Sequence, residues 1–137
     1  MKRRSVLHAL GAGLIAASTP WKSLAATSGS EAKGNHMIIV TVEVEFEDDQ
    51  IHQRRDAIRA MDEATAQEVG CLAYKSSFDV ANPNTLRIYE MWESMDVLIP
   101  HFKTPHMAEF QAALSGLSAK RMDAKVFEIS RELPFPN

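Results

Sequence analysis

The stretch LRIYEMWESMDVLIPHFKTPHMAEF, residues 86–110, passes from a strand through a broken helical connection into a capped helix, and its reading decides the fold. Residues 85–92 read as a strand. Leu86, Ile88 and Trp92 fall on one phase and Tyr89 and Met91 on the other, so both faces are expected to be covered. Ser94 can cap a short helix running to Leu98, which Pro100 is expected to disrupt because its ring and missing N–H oppose a helix interior. Thr104 and Pro105 restart a helix, with threonine as cap and proline at the first position, where a missing N–H costs nothing. His106, Phe110, Ala113 and Leu117 then follow on one face. The stretch thus gathers Glu90, Trp92, His101 and His106, two acid–base residue types and a large aromatic, into a short span.

Upstream, residues 72–80 alternate, with Leu72, Tyr74, Ser76, Phe78 and Val80 on one face. Ala81, Asn82, Pro83 and Asn84 form a turn by composition, which makes a β-hairpin with the return strand. Residues 37–46, MIIVTVEVEF, form an earlier strand that sends Val40, Val42, Val44 and Phe46 to one side. Glu47, Asp48 and Asp49 suit a helix N-terminus. Ile51, Ile58, Met61, Thr65 and Val69 lie close to one helical stripe, which Gly70 ends. Downstream, residues 125–131, KVFEISR, read as a last strand. The order β, α, β, β, α, β predicts an α+β fold: a ferredoxin-like split βαβ unit with a four-stranded antiparallel sheet and helices on one face. The uncovered face is expected to meet a second copy of itself in a homodimer.

The ends of the 137-residue chain fit a single domain with a leader. Lys2, Arg3 and Arg4 precede a mostly apolar run over residues 6–17 and small residues over 18–26, the pattern of an export signal of twin-arginine type. The run is too short and glycine-rich to span a membrane, which takes about 20 apolar residues. Residues 1–26 are therefore expected to direct export to the periplasm, residues 27–36 to be a linker, and residues 37–137 to be the domain. Removing residues 1–26 takes four of the 15 basic residues and none of the 18 acidic ones, so the remainder carries a formal charge of −7. A domain so acidic, without a basic stripe, is not expected to bind nucleic acid. Cys71 is the single cysteine and forms no disulfide within one chain; it reads as a small buried side chain before the hairpin.

Each candidate site residue has a functional and a structural reading. A carboxylate at Glu90 among Ile88 and Trp92 has its pKa raised by desolvation, towards proton transfer at neutral pH; alternatively it is bonded to a backbone N–H or an arginine. His106, in the first helical turn, is held neutral by the positive dipole end and can accept a proton, or it is merely packed. His101, in the irregular connection, is either a binding residue or exposed. Trp92 is a core or interface aromatic, or a wall on which a flat substrate stacks. Tyr74, Tyr89 and Phe110 complete the candidate substrate surface. The two histidines lie five apart with Pro105 between them, no HExxH is present, and neither a nucleophile elbow nor a phosphate loop occurs, so metal-dependent and serine hydrolases and nucleotide enzymes are not expected.

Gly70-Cys71-Leu72, Asn82-Pro83-Asn84, residues 89–93 (YEMWE), His101 and Thr104-Pro105-His106 together resemble the antibiotic biosynthesis monooxygenase family, in particular its quinol monooxygenase branch, over residues 37–131. The resemblance implies a dimeric α+β barrel that uses neither flavin nor metal. A quinol-like or polyphenolic substrate is deprotonated, its anion passes an electron to dioxygen, and the radicals recombine. It implies His106 or His101 as base, with Glu90 orienting that histidine or moving the proton. Two other readings stand beside it: isomerisation of a small dicarbonyl compound, and a domain that binds an apolar metabolite without turnover.

Overall fold

The computed structural model describes residues 36–136. The expected export signal and nearly all of the expected linker lie outside them. The described chain runs β1 (Met37–Phe46), a 3₁₀ turn (Asp49–Arg54) leading into α1 (Arg55–Thr65), β2 (Cys71–Phe78), β3 (Thr85–Trp92), α2 (Met95–His101), α3 (Pro105–Leu114) and β4 (Ala119–Ile129). The strands form one antiparallel sheet in the order β2-β3-β1-β4, the split βαβ arrangement expected from the element order.

Alternation sets which face is packed. Ile38, Val40, Val44 and Phe46 of β1 are buried, and register places Glu90 beside Val40 and Trp92 beside Ile38 on the same side. Against this face α1 lays Ile58, Met61 and Thr65, while α2 contributes Leu98 and α3 contributes Met107 and Phe110. The opposite face is open among the described residues. Arg87 and Tyr89 of β3 are exposed there and Met91 is half-buried, so the described residues supply the expected cover of β3 on one face only.

Four expectations are corrected in detail. The first helix ends at Thr65 rather than at Gly70, and Val69 is exposed on the connecting turn. A register irregularity between Cys71 and Ala73 lets Cys71 pair with Trp92 and pack against the core, so Leu72 turns outward to 44% exposure instead of sharing Tyr74's face; Val80 lies beyond the strand, fully exposed. Pro100 does not stop α2, which continues to His101. In so short a helix proline forfeits one ladder bond, while Ser94 O accepts from Leu98 N and Pro100 O from Lys103 N. Finally, β4 begins at Ala119, well before Lys125. Its first half lacks apolar alternation and pairs with β1 through Lys120 on Glu45 at 2.9 Å and Arg121 on Glu43 at 2.5 Å.

Gly70 fixes the entry to the hairpin. Its φ of +83° is left-handed, and a Cβ there would lie 2.6 Å from Val97 Cγ2, so only glycine lets this turn pass beneath α2. Glu93 N donates to Gly70 O and Cys71 N to Glu68 O, which holds the turn carrying Glu68 against the end of β3.

Candidate active site

An apolar pocket lies between the sheet and the helices. Val40 and Val42 of β1, Tyr74 of β2, Ile88 and Glu90 of β3, and Met122 and Ala124 of β4 form its floor, and Phe102, Met107 and Phe110 its roof. Its free volume is about 30 Å³. That is small beside the roughly 300 Å³ or more of an ordinary ligand pocket, so an aromatic ring enters only by displacing side chains, of which the unbranched Met107 is the most adaptable.

Glu90 is the one ionisable carboxyl on this lining, and it is 4% exposed. Alternation along β3 sends it inward between Ile88 and Trp92, and its Oε2 accepts a hydrogen bond from Trp92 Nε1 at 2.9 Å. Burial pushes its pKa up to about 7; the Trp92 bond acts against that rise and the charge of Glu68 adds to it. The partner is thus neither backbone nor arginine. Tyr74 packs on the same lining, and burial raises its hydroxyl well above the ordinary tyrosine value.

Behind the pocket wall stands a second group of polar side chains. Glu68 Oε1 lies 2.6 Å from His101 Nδ1 and 2.7 Å from His106 Nε2. Three segments deliver these residues: the turn between α1 and β2, the last residue of α2, and the first turn of α3. Thr104 ties the latter two together. Its Oγ1 donates to His101 O at 2.8 Å and accepts from Met107 N at 3.3 Å as the cap of α3. His101 is fully buried, not exposed, with ring centroids at 4.9 Å from Trp92, 5.7 Å from Tyr74 and 5.4 Å from Phe102. Burial holds its pKa below the ordinary histidine value despite the carboxylate beside it, so the neutral ring is favoured. His106 and Glu68 keep 22% and 17% of their side chains exposed.

The sequence-derived candidates therefore separate. Glu90, Tyr74 and Phe110 line the pocket. Trp92 does not line it: it is wholly buried, bridging Glu90 and His101 from behind. Neither His101 nor His106 is on the lining, and the carboxylate that orients them is Glu68, not Glu90. Tyr89 is on the other face of the sheet, 42% exposed, with its hydroxyl near Met91 Sδ, because adjacent residues of a strand point to opposite sides. Glu68 itself was not singled out from sequence. It sits on no periodic face, and its position two residues before the Gly70 turn was the one available signal.

A small ferredoxin-like domain with a buried carboxyl on an apolar pocket between sheet and helices is the class that this geometry defines. The model of the antibiotic biosynthesis monooxygenase family matches residues 37–113, more than half of the sequence, and the chain belongs to that family. An uncharacterized protein of Synechocystis, sll1783, is 31% identical over 68 residues, which is 50% of this chain and 46% of that protein, so the match spans about half of that relative. A solved structure of a conserved protein of unknown function from Bacteroides thetaiotaomicron is 27% identical with a TM-score of 0.62, covering 70% of this chain and 100% of that one. One from Deinococcus radiodurans, provisionally named an antibiotic biosynthesis monooxygenase, has a TM-score of 0.65 at 22% identity, with 73% of this chain and 99% of that one covered; it bears on the fold alone.

Proposed function

We propose that the protein oxygenates a quinol-like or polyphenolic compound without flavin or metal taking part in the reaction, as a homodimer acting outside the cytoplasm. The observation that carries the reading is Glu90: a carboxyl with a pKa near 7 on an apolar lining, the poise wanted in a base that works at neutral pH. It takes the phenolic proton of the bound quinol. The anion passes one electron to dioxygen, and the aryl radical and superoxide combine at a ring carbon. The hydroperoxide then loses water, so one oxygen atom stays on the ring, the other leaves as water, and a hydroxylated quinone is released. Apolar walls favour these steps by excluding bulk water from the radical pair. Glu68 and the histidines do not touch the pocket. They position Trp92, and through it the Glu90 carboxyl.

Oxygen uptake with a series of hydroquinones tests the proposal. Wild-type protein, treated with chelator, is expected to consume dioxygen well above the spontaneous rate, and Glu90→Gln to fall by about 10²-fold or more, the usual contribution of a general base. Uptake no faster than that of buffer would sink the proposal, and turnover of a dicarbonyl compound under nitrogen would favour isomerisation instead.

A further inference from the structure

We propose that Glu68, His101 and His106 form a binding site for one divalent first-row transition cation of the zinc and cobalt type, which staples the turn before β2 to α2 and α3. Chain spacing argues against such a site, since the histidines are not four apart on one helix; the fold supplies what spacing does not. One carboxylate oxygen and two imidazole nitrogens lie within 4.8 Å of one another. Around a tetrahedral ion with ligands at about 2.0–2.1 Å, donor atoms stand ~3.3 Å apart. Glu68 Oε1, now 2.6 and 2.7 Å from the two nitrogens, has to draw back, and the two nitrogens, within 4.8 Å of each other, to close towards that spacing. Two nitrogens and one oxygen suit zinc, cobalt, nickel or ferrous ions rather than magnesium or calcium, which prefer all-oxygen shells. Solvent reaches the site through the partly exposed Glu68 and His106, which leaves at least one coordination position to water.

A second observation comes from the far side of His101. Its Nε2 is buried and has no hydrogen-bond partner among the described residues, in a setting built by the rings of Trp92, Tyr74 and Phe102. With the proton on Nδ1, shared with Glu68, a bare lone pair is left among aromatic rings, whose electron-rich faces repel it. With the proton on Nε2, an N–H sits there instead, which aromatic faces accept weakly, and the Nδ1 lone pair is free for a cation. The ligands come from three separate segments, so an ion joining them favours the folded state over the unfolded chain. The site does not rest on the oxygenation reading, and its test uses no substrate.

The experiment is cobalt and zinc titration of the full chain, made without a histidine tag and stripped with chelator, followed by calorimetry, visible absorption and thermal melts. One ion per chain, four-coordinate cobalt bands and a raised Tm are expected, with affinity at least tenfold weaker in Glu68→Gln and in His106→Gln. The second variant sits at a partly exposed position, so it reports even where the first folds poorly. An absence of saturable binding below millimolar metal, or binding that both variants leave unchanged, as at scattered surface histidines, would overturn the assignment.

Discussion

At the residue scale, Glu90 ties stability to chemistry. Its carboxyl is raised from an ordinary 4.5 to about 7 in the folded state. Between those values the folded chain holds a proton that the unfolded chain has lost, so its contribution to stability is full below about pH 4.5 and is lost as pH rises through about 7. Once Glu90 is ionised the cost amounts to ~3 kcal/mol. Glu90→Gln keeps an oxygen for the Trp92 N–H and removes the charge. It is expected to match wild type near pH 4.5 and to be more stable by up to ~3 kcal/mol at pH 8, as read from urea melts across pH. Equal stabilities at pH 8 would mean that the carboxyl is not held out of solvent as described. This residue was legible in sequence, because strand alternation alone sets Glu90 between Ile88 and Trp92 on the packed side. Glu68 was not: a carboxylate in an irregular turn gains its meaning from two histidines 33 and 38 residues away, and only tertiary structure supplies them.

The elements show where local signals suffice and where they do not. Strong alternation placed β1, and the threonine–proline pair placed the start of α3, since both signals act within a few residues. The missed features depend on partners. The first half of β4 is held by cross-strand ion pairs, the irregularity at Cys71 by pairing with β3, and the passage of α2 through Pro100 by packing of Leu98 beneath it. At Gly70 the demand is sharp, because a left-handed φ coincides with close contact to Val97. Gly70→Ala is expected to destabilise the fold by ~2 kcal/mol, combining left-handed strain with displacement of Val97, and to loosen the turn that presents Glu68. Denaturant melts check this; a change under ~0.5 kcal/mol would show that the turn adapts freely.

On the scale of the whole molecule, the outer face of the sheet is the unfinished feature. Ile39 pairs with Met91 on one side and Phe127 on the other, and Tyr89 lies one pair further along, so a side-by-side apolar row crosses three strands. Phe127 is 45% and Tyr89 42% exposed, beside a charged half that contains Arg87, Glu43 and Arg121. In the proposed homodimer a second copy set on this face would bury the row, with the charged half at its rim. Sedimentation is expected to give a dimer for wild type and mainly monomer for Phe127→Asp, which buries an unpaired charge if the copies associate. A wild-type monomer at high micromolar concentration would refute that arrangement.

The central claim is that a buried carboxyl at the end of β3 serves as the base for oxygenation, and the pH dependence of oxygen uptake with a hydroquinone tests it most directly. Chelator-treated wild type is expected to show a kcat/KM that rises through one ionisation near pH 7 and then levels, while Glu90→Gln shows a residual rate without that step. A wild-type profile without an ionisation in this range, or one that Glu90→Gln leaves intact, would contradict the account.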